Sequence, residues 1–179
     1  MKKTIYFYLL SIAIVAIISC KPSKEKKIEK ISMLEKELLS DKVNIDTSKA
    51  EELILLYKDY ADNFKSDSLS PEYLLKAADI SMNLSKGQQA IDLLDKILTD
   101  FKKYYKAPDC LFLKAYILEN QLNDLKNAEK TYKEFLEKYP NHAFAVSAKS
   151  AIENLGIPAD VLIKKFEEQN KSKKDSLKI

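Results

Sequence analysis

An internal repeat of apolar positions runs through this chain and limits the folds that it can adopt. Three segments superimpose, with offsets of 37 and then 38 residues between equivalent positions. The equivalent residues are Leu53, Ala90 and Ala128; Tyr57, Leu94 and Tyr132; Tyr60, Ile97 and Phe135; and Phe64, Phe101 and Tyr139. Within each segment the spacing is i, i+4, i+7 and i+11, which places the four residues on one stripe of an α-helix.

The repeating unit is a helix pair, because matches also occur on the helix before each stripe. Leu74 and Phe112 correspond at an offset of 38 residues, as do Ala77 and Ala115. One helix pair cannot bury its apolar face alone, so repeats of this length stack into an α-solenoid. The chain has only two glycines and lacks alternating apolar runs, which favours an all-α fold.

Local signals predict where the helices begin and end. Ser48 with Glu51 is typical of a capping box, and Ser70 before a proline is typical of an N-cap. Gly87 suits a tight turn, and Gly156 suits a left-handed C-cap. The predicted helices cover, approximately, residues 26–39, 48–64, 70–84, 88–101, 108–120, 125–138, 143–155 and 158–169.

The amino terminus has the pattern of an export signal. Lys2 and Lys3 precede an uncharged run over residues 5–18, which ends in the tetrapeptide 17–20, Ile-Ile-Ser-Cys. A bilayer span needs about 20 apolar residues and a signal-peptide core about 7–15, so the run fits a signal peptide better. The alternative is an uncleaved membrane helix with an incidental cysteine, but charged sequence begins at Lys21.

The tetrapeptide resembles the lipobox of bacterial lipoproteins. That resemblance implies cleavage before Cys20 and acylation of its sulfur, so that the bilayer would be the first partner of the chain. We predict a signal peptide over 1–19, a lipidated Lys-rich tether with a short amphipathic helix over 20–47, a repeat domain over 48–170 and a polar tail over 171–179. The tether is expected to be flexible over 21–30, with its lysines either near anionic headgroups or simply solvated.

The segment from Ala128 to Pro140 resembles the second helix of a tetratricopeptide repeat. It has a small residue at Ala128, aromatic residues at Tyr132 and Phe135, and a closing proline. The resemblance covers roughly residues 49–170, although Lys102 stands where the family has its closing proline. The chain is also similar to envelope tetratricopeptide lipoproteins of Bacteroidetes-type bacteria. These are related in layout to the Tol–Pal-associated periplasmic repeat protein and the repeat lipoprotein of the β-barrel assembly machinery, although this chain has fewer repeats than the latter.

The resemblance implies a protein-binding groove and no catalytic residues. On the helix before Ala128, Phe112 and Ala115 resemble the family's large and small packing positions. The family's groove-facing positions, carried over to this chain, are Leu75, Asp79, Met82, Asn83, Leu113, Ile117, Asn120 and Gln121. The alternative is that Leu75, Leu113 and Ile117 pack into the core.

Charge and cysteine content narrow the function classes. The formal charge is +3, and cleavage before Cys20 would remove Lys2 and Lys3, so the mature chain offers no argument for a nucleic-acid partner. The chain contains no arginine, which excludes bidentate guanidinium contacts. With Cys20 acylated, Cys110 has no intrachain partner, and its apolar neighbours predict a buried small hydrophobe rather than a reactive thiol.

No motif points to chemistry. His142 is the only histidine and is expected at a solvent-exposed turn, so a Cys110–His142 pair is a remote enzyme alternative. No metal-ligand spacing and no glycine-rich phosphate loop occur, so we expect no cofactor, no metal and no small-molecule substrate. Residues 102–106, Lys-Lys-Tyr-Tyr-Lys, interleave basic and aromatic side chains, a pattern that can bind single strands, but a solvated loop is expected in an exported chain.

These patterns predict a membrane-anchored adaptor that binds one or more unidentified envelope proteins. Basic rather than acidic residues follow Cys20, which by resemblance to lipoprotein sorting favours the periplasmic face of the outer membrane. The alternative is a structural lipoprotein that bridges membrane and cell wall through its Lys-rich tether.

Overall fold

The structure, a computed structural model, describes residues 23–40, 46–158, 160–165 and 167–168. The helices are α1 (Lys24–Ser40), α2 (Thr47–Asn63), α3 (Leu69–Asn83), α4 (Gly87–Asp100), α5 (Ala107–Asn120), α6 (Leu125–Lys138) and α7 (Ala145–Asn154). Residues 160–165 and 167–168 are also helical, and no strand occurs in these ranges, which confirms the all-α prediction. The predicted signal peptide, Cys20 and the polar tail lie outside the described residues.

The chain divides into two compact units, the first ending at Leu56 and the second beginning at Tyr57. In the first unit, α1 begins at Lys24, so the predicted flexible tether is helical over its described residues from that point. Ion pairs join Lys30 to Glu52 at 3.0 Å and Lys49 to Glu37 at 3.1 Å. The buried side chains of this unit are Ile31, Leu34, Ala50, Leu53 and Ile54. Among the described helices, none combines the length and the apolar character that a bilayer span requires.

The second unit is a stack of adjacent helix pairs. The most extensive contacts lie between α3 and α4 and between α5 and α6, and further contacts join α4 to α5 and α6 to α7. This arrangement confirms the predicted stacking. The first three positions of every repeated stripe are at most 2% exposed, namely Leu53, Tyr57, Tyr60, Ala90, Leu94, Ile97, Ala128, Tyr132 and Phe135. The fourth position of each stripe is half-buried.

Equivalent positions on α3 and α5, the first helices of the two pairs, are 37 residues apart. This corrects the predicted offset of 38 residues. Pro71 and Pro108 occupy equivalent positions near the starts of α3 and α5. Ala78 and Ala115 are both 0% exposed at the same offset. The second helices α4 and α6 begin 38 residues apart, at Gly87 and Leu125. The second helices are one residue further apart because the turn after α5 is one residue longer than the turn after α3. These turns span residues 121–124 and 84–86.

The cap of α2 is Asp46, not Ser48 as the capping-box pattern predicted. The Asp46 Oδ1 atom accepts hydrogen bonds from the backbone N–H of Ser48 at 3.0 Å and of Lys49 at 3.1 Å. Aspartate at this position satisfies two of the amide groups that have no partner in the first helical turn. The carboxylate therefore fixes where α2 begins.

Replacing Asp46 with Ala is expected to lower the free energy of unfolding by about 1 kcal/mol, because the first turn of α2 loses both acceptor contacts. Urea unfolding followed by circular dichroism at 222 nm measures this loss. Ser48→Ala is the matched control and should change stability by only a few tenths of a kcal/mol. Equal losses in the two variants would contradict the assignment of the cap to Asp46.

Ser70 lies inside α3, so its prediction as an N-cap was wrong. The Ser70 hydroxyl donates to the Phe64 carbonyl at 2.6 Å, and its residue is fully buried. Asp67 supplies the acceptor at this end of the helix, because its Oδ1 accepts from the Leu69 N–H at 2.8 Å. At the starts of both α2 and α3, the side chain that accepts hydrogen bonds from backbone N–H groups therefore belongs to an aspartate before the serine that was predicted as the cap.

The two glycines have different roles. Gly156 has φ +73°, which confirms the left-handed C-cap after α7. Gly87 is the first residue of α4, and the positive φ in the preceding turn belongs to Ser85, at 56°. A Cβ atom at Gly87 would lie 3.0 Å from Oε1 of Gln121 and 3.1 Å from Cδ2 of Leu122. The missing Cβ at Gly87 therefore leaves room for the side chains at the end of α5, and the positive φ of the predicted tight turn does not fall on Gly87.

Candidate partner-binding surface

The residues predicted to face a partner lie on α3 and α5 and at the end of α5, but they do not form a single exposed set. Asp79, Asn83, Asn120 and Gln121 are exposed, whereas Met82 and Leu113 are partly exposed. Leu75 is 8% exposed and Ile117 is 0% exposed. Side chains without accessible surface cannot contact a partner, so Leu75 and Ile117 pack in the core, which corrects their assignment to the groove.

The 37-residue offset explains why Ile117 was misplaced. Asp79 is exposed on α3, and its equivalent at this offset is Tyr116, which is 42% exposed. The offset of 38 selected the neighbouring Ile117 instead. The two aligned prolines near the helix starts were the signal that could have identified Tyr116.

Exposed and partly exposed side chains form one stripe on each first helix. We call these residues the first-helix stripe: Glu72, Lys76, Asp79 and Asn83 on α3, and Asp109, Leu113, Tyr116 and Asn120 on α5. The spacing of four, three and four residues places each set on one helix face. Sequence reasoning missed Glu72, Lys76, Asp109 and Tyr116, because it carried over family positions instead of following the helical period outside the core.

Gln121 has a structural role in addition to its exposure. Its Nε2 atom donates to the carbonyl oxygen of Met82 at 3.1 Å, so it joins the end of α5 to the end of α3. The Asn120 side chain makes no such link between helices in this contact, because its amide donates to the Tyr116 carbonyl of the same helix at 3.0 Å. Gln121 therefore contributes to repeat stacking, whereas Asn120 belongs to the first-helix stripe.

Charged groups at the start of the stripe pair between helices. The Lys106 ammonium lies 3.0 Å from the Glu72 carboxylate and joins the start of α5 to α3. Burial alone would raise the pKa of Glu72, but the hydrogen bond from Lys106 and the nearby hydroxyls of Tyr104 and Tyr105 hold this pKa below its usual value. Asp79 is exposed as a residue, yet partial desolvation raises the pKa of its carboxyl, and Lys106 opposes that shift. A partner can still reach Asp79, because the residue is exposed.

Glu72→Gln is expected to lower the free energy of unfolding at pH 7 by about 0.5–1 kcal/mol, as for a partly exposed pair. Because the folded pKa of Glu72 is depressed below 4.5, the pair stabilises the fold above that pH and loses this effect as pH falls through the folded pKa. Urea titrations at pH 7 and pH 3 should therefore show a smaller wild-type advantage at pH 3 than at pH 7. Glu129→Gln, which breaks an exposed pair with Lys133 at 2.6 Å, is the control and should have a smaller effect. An equal advantage at both pH values would contradict the prediction.

His142 is half-buried rather than solvent-exposed, which corrects the sequence prediction. Its ring centroid lies 5.6 Å from that of Phe135 and 5.4 Å from that of Phe144. The turn that carries it folds back, since the His142 N–H donates to the Tyr139 carbonyl at 3.1 Å. Its Nε2 atom is 3.8 Å from Oδ1 of Asp109, so the imidazole packs between aromatic rings and one carboxylate.

Cys110 is 0% exposed, as its apolar neighbours predicted. Burial raises the pKa of its thiol to about 12, so only about one thiol in 10⁵ is ionised at pH 7. A nucleophile in a Cys–His pair needs the opposite shift, and this burial argues against that enzyme alternative. Within the ranges that the structure describes, no group of His, Cys, Asp and Glu side chains is arranged to hold a metal ion.

Comparison with known proteins identifies one part of this stack. Residues 109–142 match the family model described as tetratricopeptide repeat. The matched span begins in α5, includes all of α6 and ends at His142. No curated protein matches the chain. The chain therefore contains a tetratricopeptide repeat at residues 109–142, built from α5 and α6 within a stack of helix pairs.

Proposed function

We propose that this chain is a membrane-anchored adaptor that binds a segment of a partner protein along the first-helix stripe. The observation that carries the proposal is the exposed stripe on α3 and α5 within a stack that includes a tetratricopeptide repeat. Stacked helix pairs present extended surfaces of this kind, and repeat proteins use them for binding. A protein-interaction scaffold is the function that this arrangement supports best.

The side chains of the stripe suit a polar partner segment with one apolar anchor. Tyr116 combines an exposed ring with a hydroxyl, and tyrosine is enriched among residues that dominate binding energies. Asn83 and Asn120 are exposed and supply amide donors and acceptors at the same end of the two helices. We expect Tyr116 to provide most of the affinity and the asparagines to select the register of the partner.

The cellular setting of this proposal depends on the amino terminus. The lipobox-like tetrapeptide 17–20 supports acylation of Cys20, and basic residues after it favour the periplasmic face of the outer membrane. Two acyl chains bury enough hydrocarbon for stable anchoring, at about 0.8 kcal/mol per CH₂ group. The partner would then be an envelope protein, and the adaptor would act in envelope assembly or maintenance.

Site-specific photocrosslinking tests the binding surface. A photoreactive amino acid at Asn83 or at Tyr116 should capture the same discrete envelope protein in cells. The control position is Lys130 on the exposed face of α6, which should capture nothing comparable. Tyr116→Ser should weaken the crosslink formed from Asn83. Equal capture from Lys130, or no capture from either stripe position, would contradict the proposed surface.

A further inference from the structure

A cleft in the described part of the second unit lies between two turns, near the start of the first-helix stripe. It has a volume of about 740 Å³ and is lined by residues of the α2–α3 turn, the start of α3, the end of α4 and the α4–α5 turn. We call it the turn cleft. Its volume is within the range of ligand-binding pockets, about 300–1,000 Å³. The Lys-Lys-Tyr-Tyr segment at 102–105 forms one of its walls.

We propose that the turn cleft binds an acidic peptide segment that carries an aromatic or apolar side chain. The cleft and the first-helix stripe share Glu72, but the cleft lies near the starts of α3 and α5, whereas Asn83 and Asn120 lie at the opposite ends of these helices. A helix of the length of α3 separates its ends by about 20 Å. One partner could reach both sites only with an extended segment.

Three cations in the cleft have no ion-pair partner among the described residues. They are Lys65, Lys102 and Lys103, and all three are exposed. The carboxylates that share the cleft are already used within the protein. Glu72 pairs with Lys106 and Asp100 with Lys96, both at 3.0 Å, and Asp67 accepts from the Leu69 N–H at 2.8 Å. The amide contact leaves the negative charge of Asp67 in place, so three lysines stand against one carboxylate and the excess charge of the cleft is positive.

An exposed aromatic ring adds an apolar surface to this charge. Tyr105 is 72% exposed, more than any other aromatic side chain in the described ranges. Its ring stands edge-on to Tyr104 at 5.2 Å, and the Lys106 ammonium lies 5.2 Å from its centroid. These contacts hold the ring in place at the surface. An apolar side chain of a bound peptide can pack against Tyr105, which the rest of the chain leaves largely uncovered.

The shape and charge of the cleft favour an extended peptide over a single anion. The ammonium groups belong to two different turns, so several carboxylates spaced along a chain match them better than one compact group does. Both α3 and α5 begin at this cleft, and the positive ends of their dipoles also favour negative charge. Without arginine the chain cannot form bidentate clamps, so recognition depends on point charges and on Tyr105.

Fluorescence anisotropy with the full-length protein in mild detergent tests this proposal. The ligand is a fluorescein-labelled peptide in which four glutamates surround one phenylalanine. The triple variant Lys65→Gln, Lys102→Gln and Lys103→Gln should weaken binding at least tenfold and reduce its salt dependence, and Tyr105→Ala should weaken it about fivefold. The matched control, Lys126→Gln with Lys130→Gln and Lys149→Gln, removes the same charge elsewhere and should leave affinity within twofold. Circular dichroism verifies that each variant is folded.

Several outcomes would overturn the proposal. Equal binding of the same peptide with glutamine in place of glutamate would show that carboxylates are not recognised. Equal losses in the two lysine variants would indicate a general charge effect. Stronger competition by soluble cell-wall fragments or by anionic lipid vesicles would assign the cleft to another ligand class. Loss of binding in Tyr116→Ser alone would place the peptide on the first-helix stripe, whereas failure of the crosslinking experiment would leave the turn cleft unaffected.

Discussion

Phe135→Ala is expected to lower the free energy of unfolding by about 3–5 kcal/mol and the melting temperature by about 10–20 °C. The Phe135 side chain is 0% exposed. Its ring centroid lies 5.6 Å from that of Phe112, 5.8 Å from that of Tyr139 and 5.6 Å from that of His142. Truncation would remove these contacts and leave a cavity that surrounding helices can close only in part.

The position of Phe135 makes the loss extend beyond α6. Phe135 contacts Phe112 of α5, and Phe112 in turn stacks on Phe144, next to the start of α7, at 4.7 Å. In a stack of helix pairs each pair is stabilised by its neighbours, so a cavity at this point weakens the attachment of α7 as well. We therefore expect amide hydrogen exchange in α7 to accelerate in the variant, in addition to the global loss.

Differential scanning calorimetry measures the loss of stability in Phe135→Ala, and two further variants serve as comparisons. Phe135→Leu keeps most of the volume and should lose less than about 1.5 kcal/mol. Val146→Ala removes a side chain that is 75% exposed and should change stability by less than about 0.5 kcal/mol. If Phe135→Ala destabilised the fold no more than Val146→Ala does, Phe135 and the rings around it would not be the core of this repeat.

The second helices were predictable because each one shows a single apolar stripe. In α6, Ala128, Tyr132 and Phe135 are separated by polar residues, so only one helical face can be buried. The structure buries all three at 1% exposure or less. The predicted bounds of α6 agree with the observed Leu125–Lys138. Pro140 ends the helical pattern just after this helix.

The first helices were harder to place because several registers satisfy the same pattern. Leu111, Phe112 and Leu113 are consecutive apolar residues, so the period alone allows offsets of both 37 and 38. Tertiary contacts decide between them, since Leu111 is 4% exposed whereas Phe112 and Leu113 are partly exposed. A shift of one residue rotates a helix position by about 100°, which is why Ile117 was assigned to the surface instead of Tyr116.

Caps and turns depended on choices that local sequence leaves open. Asp46, Thr47 and Ser48 are all residue types that can cap a helix, and packing of α2 determines which one does. His142 follows the turn residues Pro140 and Asn141, which predicts exposure. The rings that cover it belong to Phe135 on the preceding helix and to Phe144 two residues later, because the turn folds back, while Asp109 of α5 approaches to 3.8 Å.

Cys20→Ser is expected to abolish lipid labelling of the chain altogether. In cells fed an alkyne analogue of palmitate, the wild-type protein should carry the label and the variant should fall to background. Cys110→Ser is the matched control and should keep full labelling, because Cys110 is buried in α5 and its thiol is not ionised at neutral pH. Mass spectrometry of the purified wild-type protein should find an acylated cysteine as its first residue.

Two results would contradict this prediction. Label that persisted in Cys20→Ser, or that was lost in Cys110→Ser, would assign acylation to another position or remove it entirely. Detection of residues 1–19 in the purified wild-type protein would show that the export signal is not cleaved before Cys20. Either result would also remove the basis for placing the adaptor at the envelope membrane.

If Cys20 is acylated, the number of residues between Cys20 and α1 limits how far α1 can lie from the bilayer. Lys24 is four residues after Cys20, and four extended residues span at most about 14 Å, so an acylated Cys20 would hold the start of α1 near the headgroups. The lysines of this first segment, Lys24, Lys26 and Lys27, could then add about 1 kcal/mol each on an anionic surface, an effect that salt screens. Two acyl chains contribute far more than that. Changing these three lysines to glutamine in a chain that keeps Cys20 should therefore leave that variant in the membrane fraction, whereas losing the sulfur of Cys20 removes the anchor itself.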